Sequence, residues 1–211
     1  MKEAMFYQKL DGQRVRCGLC RFGCLIAPGQ RGRCRVRENR DGVLYTLVYG
    51  NLVAEHVDPV EKKPLFHLLP GSRSYSLATV GCNFRCLHCQ NYTIAQPDDA
   101  AVERSGSFVE PKEVVERALA TECRSIAYTY TEPTIFFEYA YETAQLAKAA
   151  GLKNIFVTNG YISHEALATI APYLDAANID LKGFSNVFYR EVVGASLGEV
   201  LDCIRDYKRH G

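Results

Sequence analysis

Tyr75-Ser76-Leu77-Ala78-Thr79-Val80-Gly81-Cys82-Asn83-Phe84-Arg85-Cys86-Leu87-His88-Cys89 decides how this chain folds. The apolar run Tyr75–Val80 reads as a strand buried on both faces. It feeds directly into a loop that carries three cysteines, at the end of a parallel strand where α/β proteins place their active sites. The spacing Cys-x3-Cys-x2-Cys lets one loop wrap a cubane and present thiolates to three of its irons. A fourth iron is then left open to a small molecule, as catalytic metal sites keep an open position and structural ones close it. A zinc site, or an electron-transfer cluster completed from elsewhere, is the competing reading of these residues.

Outward from this stretch, strand and helix patterns alternate. Ser125–Tyr130, Asn154–Thr158 and Ala177–Leu181 are short and apolar like the first strand. After Pro133, residues Phe136, Tyr139, Ala140, Thr143, Ala144, Ala147 and Ala150 share one helical face, which Gly151 ends. Ser196 with Glu199 has capping-box spacing at the start of another helix. These are βα units, so a parallel sheet with right-handed crossovers is expected, either doubly wound or curled into a barrel. Four strands are counted, and the last helix reaches Tyr207-Lys208-Arg209-His210-Gly211 where a fifth would begin.

The N-terminal part reads differently. Residues 13 to 42 are rich in Cys, Gly and Arg without periodicity, and loops are expected there. Val43–Val57 predicts a hairpin turning at Gly50-Asn51. Pro59, Pro64 and Pro70-Gly71 punctuate a connector, giving a Cys-rich module with β-hairpin over 1–73 and a core over 74–211. Cys17, Cys20, Cys24 and Cys34 supply four thiols, enough to close a site around structural zinc or a second iron–sulfur cluster. Cys123 and Cys203 stand alone and read as core residues.

The whole chain bounds these readings. Its 211 residues are 47% apolar, sufficient for a proper core. With 25 Lys and Arg against 24 Asp and Glu, neither a nucleic acid nor an anionic membrane is called for. No run of about 18 apolar residues occurs, and Met1-Lys2-Glu3-Ala4 lacks the layout of a signal peptide, so a cytoplasmic protein is expected. Nine cysteines, odd in number and clustered, then point to metal rather than disulfides.

The loop Cys82–Cys89, with aromatic His88 before its last cysteine, resembles the signature of the radical S-adenosylmethionine (SAM) superfamily. The resemblance implies a partial (β/α) barrel. Such cores usually wind six βα units, so this one is expected to be truncated after about four. It also implies a [4Fe–4S] cluster on Cys82, Cys86 and Cys89, SAM chelated at the open iron, and an electron donor such as ferredoxin or flavodoxin. The implied activity is oxidoreductase-like: reductive cleavage of SAM to a 5′-deoxyadenosyl radical that abstracts hydrogen from an unknown substrate.

Glu132-Pro133 match the Gly-Gly-Glu-Pro turn of many members, with Tyr130-Thr131 in place of the glycines; an ordinary helix start is the plainer reading of the same residues. Thr158-Asn159-Gly160 and Asp180-Leu181-Lys182 are similar to strand ends near SAM in glycyl-radical activating enzymes. Val157 stands where those enzymes carry Asp. His88, Glu132, Thr158, Asn159 and Asp180 are thus the implied cofactor-binding residues, with Asp180 facing inward. The run from the N-terminal cysteines through Val36–Asn39, Glu55–Pro59 and Lys62–His67 to the loop Cys82–Asn91 resembles one branch, the radical SAM member of the AmmeMemoRadiSam system, often labelled pyruvate formate-lyase activating enzyme-like. Memo-like and AMMECR-like proteins are its implied partners. Nearness to the cluster loop would let Lys63 and His67 face a substrate, but a solvated Lys63 and a packed His67 are the plainer expectations. A glycyl-radical activating enzyme acting on a partner protein, and a non-catalytic iron–sulfur or zinc protein, are the alternative functions.

Overall fold

The computed structural model describes residues 1–104 and 106–211. The first eight strands are β1 (Lys2–Glu3), β2 (Tyr7–Lys9), β3 (Val15–Cys17), β4 (Leu25–Ile26), β5 (Arg37–Arg40), β6 (Val43–Thr46), β7 (Asn51–Leu52) and β8 (Ala54–Pro59). The Cys-rich stretch expected as loops therefore contains β3, β4 and β5. They join small antiparallel sheets ordered β2-β3-β4 and β1-β6-β5. The hairpin also lies elsewhere than expected. It links β5 to β6 through Asp41 and Gly42, both at positive φ (51° and 85°), which suits a tight hairpin turn better than the later Gly-Asn pair. Gly50 does take a positive φ of 76°, but there the chain leaves one sheet for another.

The second half alternates as predicted: β9 (Arg73–Ala78), α1 (Tyr92–Ala95), α2 (Asp99–Arg104), β10 (Ser107–Phe108), α3 (Pro111–Ala120), β11 (Ser125–Tyr128), α4 (Phe137–Ala149), β12 (Lys153–Thr158), α5 (His164–Ile170), β13 (Ala176–Ile179), α6 (Asn186–Phe188) and α7 (Leu197–Arg209). β9, β11, β12 and β13 are parallel and lie side by side in chain order, with β8 antiparallel at the edge. A doubly wound order would reverse direction from its starting strand, and this sheet does not. All four parallel strands thus bring their C-terminal ends to the same rim.

Packing follows the apolar pattern. Helix α4 buries Tyr139, Ala140, Thr143, Ala144 and Ala147 as its periodicity requires, and Gly151 at φ 81° ends it, while Ala150 is exposed past the last turn. Cys123 and Cys203 are core residues. The main core runs without a break from Ala4 to Cys203. It encloses an ion pair between Arg37 and Glu138, both 1% exposed, held in register by Met5, whose N–H donates to Glu138 at 2.7 Å and whose carbonyl accepts from Arg37 at 3.0 Å. The capping box at Ser196 does not form, because Glu199 instead accepts from Arg21 at 3.0 Å. Among the described residues, no helix is long and apolar enough to cross a membrane.

Candidate active site

Gly81 turns the chain out of β9 at φ 102°, a region open mainly to glycine. A Cβ there would lie 2.6 Å from Val36 Cγ1 and 3.2 Å from the Cys34 carbonyl, so the loop passes tightly beneath the N-terminal cysteines. Within the loop, Phe84 is the anchor, 1% exposed and edge-on to Tyr161 and Phe22. The backbone is fixed from the other side by a single π-helical turn, Tyr189–Val193, whose carbonyls at Val193 and Val192 accept from Arg85 (3.0 Å) and Leu87 (2.9 Å). An irregular loop held at both ends in this way presents Cys82, Cys86 and Cys89 to one cavity of about 670 Å³.

The strand rim supplies much of the remaining wall: Thr129 and Tyr130 beyond β11, Thr158 and Asn159 at β12, and Asp180 and Lys182 beyond β13, with Lys62 and Lys63 beside them. Asp180 and Lys182 share the cavity side and pair at 2.7 Å, while Leu181 between them is exposed, as alternation across an extended segment dictates. Asn178 also donates to Asp180 at 2.8 Å. His88 lies at the exposed margin against Phe188, ring centres 5.7 Å apart.

Glu132 is fully buried behind this wall and acts on it through others. One carboxylate oxygen accepts from Thr134 N–H (3.0 Å), Thr134 Oγ1 (2.5 Å) and Thr158 Oγ1 (2.7 Å), and the other from Asn159 N–H (2.8 Å). Burial raises its pKa, and these bonds oppose the rise. Asn159 in turn donates through Nδ2 to Asn83 Oδ1 at 2.7 Å and approaches Cys82 Sγ at 3.7 Å. Cys82 Sγ also accepts the Phe84 N–H at 3.4 Å. Burial pushes the Cys82 and Cys86 thiols above their ordinary values.

The structure gives places at the cavity to residues that the sequence did not assign to the site. Tyr130 sits at φ 62° with its hydroxyl on Asp58, which also accepts from Lys62 (2.8 Å) and Lys63 (2.7 Å). Lys63 was expected in solvent, yet it is 2% exposed, bonded to Asp58 and 4.7 Å from the Tyr130 ring centre. His67, expected to be packed, is exposed. Asn83 is fully buried between the cluster loop and the N-terminal cysteines. No periodicity marks it, although it lies inside the cysteine motif.

Cys17, Cys20, Cys24 and Cys34 line a second, small cavity of about 20 Å³. Strand pairing brings Cys17 beside Cys24, whose carbonyl accepts its N–H at 2.9 Å. Leu19, Cys20 and Arg21 are stitched to Tyr161, Ile162 and Ser163, which follow the β12 loop. Among the described residues, no three Cys, His, Asp or Glu side chains close on a point fit for a single metal ion; in both sites the thiols stand around a cavity instead.

The chain is similar to known proteins. An uncharacterized protein of Methanocaldococcus jannaschii is 48% identical over 212 residues, covering 100% of this chain and 62% of that relative. The chain therefore spans less than two thirds of the relative's length. The structure of TYW1 with a lysine-pyruvate adduct bound is similar with a TM-score of 0.48 at 18% identity, over 95% of this chain and 62% of that one. Residues 76–211, from within β9 onward, match the model of the radical SAM superfamily. On that match over most of its length, the chain belongs to the radical SAM superfamily.

Proposed function

We propose that Cys82, Cys86 and Cys89 hold the [4Fe–4S] cluster and that SAM lies across the strand rim at Thr129–Tyr130, Thr158–Asn159 and Asp180. Membership of the superfamily implies SAM, an iron–sulfur cluster and a reductant. The observation that carries the residue assignment is the convergence of three thiols on one cavity at the C-terminal ends of four parallel strands. The residues fit the groups. The cavity volume lies in the range of small-molecule sites. Asn159 Oδ1, which borders it, is a buried acceptor with no protein partner, ready for an ammonium or hydroxyl donor.

When bound, the cluster supplies the electron that cleaves SAM into methionine and a 5′-deoxyadenosyl radical. The protein's own work is positional. Glu132 fixes Thr158 and the Asn159 backbone, Asn159 steadies Cys82 Sγ, and Phe84 with the Tyr189–Val193 turn holds the loop in place. Lys182 and Asp180 offer paired charges to the zwitterionic methionine end of SAM.

We read the reaction as hydrogen abstraction from a substrate taken up in the same cavity, in the branch whose residues this chain resembles, with Memo-like and AMMECR-like proteins as associates and ferredoxin or flavodoxin as donor. Anaerobic incubation with SAM and dithionite tests the reading: 5′-deoxyadenosine should form, and Cys86→Ala should abolish it. Unimpaired cleavage by that variant overturns the assignment.

A further inference from the structure

The N-terminal cavity has features that the radical-generating site does not use. Four thiols from β3, the loop after it, the β4 approach and the β5 approach surround it, although Cys17 and Cys34 lie far apart in sequence. Two buried donors on its wall lack partners. Asn83 is fully buried, and with Oδ1 turned to Asn159 its Nδ2 is unpaired. Arg37 donates through Nη1 to Cys17 Sγ at 3.5 Å, while its Nε has no acceptor. Buried donors left unpaired are costly, so an acceptor in the cavity would offset a standing penalty.

The unpaired donors favour an occupant that itself accepts hydrogen bonds. A zinc ion binds thiolates at about 2.3 Å, which draws four sulfurs together and leaves no void between them. Here the four thiols, with Asn83, Arg37 and the apolar Leu19, Ile26 and Ile135, line a void of about 20 Å³. Among the described residues, neither these thiols nor those of Cys82, Cys86 and Cys89 form a group of three placed to hold a single metal ion. Inorganic sulfide also answers the donors, because it accepts N–H hydrogens where a zinc ion does not.

We propose that Cys17, Cys20, Cys24 and Cys34 ligate a second iron–sulfur cluster, with Asn83 Nδ2 and Arg37 donating to its sulfur atoms. All four thiols are consumed, so this cluster has no open iron and does not bind SAM. Asn83 links the two sites directly, since its Oδ1 also lies 3.9 Å from Cys82 Sγ. The proposal is independent of the function proposed above, because the deciding variant lacks the thiols of that site.

That variant is Cys82→Ala, Cys86→Ala and Cys89→Ala together, purified anaerobically from cells supplied with both iron and zinc. It should retain iron and acid-labile sulfide in equal amounts, about two to four of each per chain, with zinc well below one. Its reduced EPR spectrum should not change on adding SAM. Stoichiometric zinc without sulfide, or a folded protein free of metal, overturns the proposal. If the triple variant does not fold, wild type and Asn83→Leu decide it. Wild-type iron and sulfide should exceed the four-iron complement of one cubane, and Asn83→Leu should alter the EPR line of the SAM-insensitive cluster. Iron of no more than one cubane, or an unaltered line, overturns it.

Discussion

Tyr130 donates its hydroxyl hydrogen to Asp58 at 2.5 Å, and this bond fixes a non-glycine residue at φ 62° on the rim of the cavity. The loop after β11 is thereby tied to β8, the antiparallel edge strand, as well as to Asn91, which donates to the Tyr130 carbonyl at 2.7 Å. Where a glycine would reach this conformation freely, here a phenol anchored from outside the parallel sheet holds it. Tyr130→Phe keeps the ring over Lys63 and loses only the bond to the carboxylate. A loss of about 1.5–3 kcal/mol in denaturant unfolding is expected, with weaker SAM binding. Unchanged stability and unchanged SAM affinity would show that the backbone holds this conformation unaided.

Asp58 also sets a pH dependence. Burial by itself would raise its pKa, but the hydrogen bonds from Lys62, Lys63 and Tyr130 outweigh it and hold the group well below the usual carboxylate range. A carboxyl with a depressed folded pKa stabilises the fold above its unfolded value of about 3.9 and loses that contribution as pH falls further. The stability gap between wild type and Asp58→Asn should therefore be full at pH 6 and shrink steadily below about pH 4. A gap independent of pH would contradict this account of Asp58.

Glu132→Gln tests the brace behind the cavity. Glutamine retains one acceptor oxygen but must turn an NH2 toward either the Thr134 and Thr158 donors or the Asn159 N–H, setting donor against donor. A stability loss of about 1–3 kcal/mol is expected. Iron content should survive while SAM affinity falls at least tenfold, because the cluster thiols do not bond to Glu132. Loss of iron with unchanged SAM affinity in the remaining holoprotein would assign Glu132 to the cluster instead.

Gly81→Ala should damage both cysteine sites at once. The added methyl meets Val36 and the Cys34 carbonyl, and the backbone sits in a region that alanine avoids. A destabilisation above about 1 kcal/mol is expected, with reduced metal content at both sites by elemental analysis of the folded fraction. Damage confined to one site would mean that the two are not mechanically joined through this contact.

The parallel strands, the α4 face and the meeting of Cys82, Cys86 and Cys89 at one cavity were legible because each is a local pattern: an apolar run, a 3.6-residue period, a fixed thiol spacing. What escaped depends on which partners the fold brings together, near or far in sequence. Lys63 reads as solvent-exposed until β8 brings Asp58 beside it, and Glu199 reads as a cap until Arg21 arrives from 178 residues away. The hairpin was misplaced because Gly50-Asn51 and Asp41-Gly42 both permit positive φ. Only the pairing of β5 with β6 chooses between them.

The central claim is that Cys82, Cys86 and Cys89 leave one iron open for SAM, and EPR of the dithionite-reduced protein with and without SAM measures it most directly. The account predicts a shift in the g-values of one cluster on adding SAM, present in wild type and absent when the three cysteines are replaced by alanine. A wild-type spectrum that SAM does not change, at full iron loading, would contradict it.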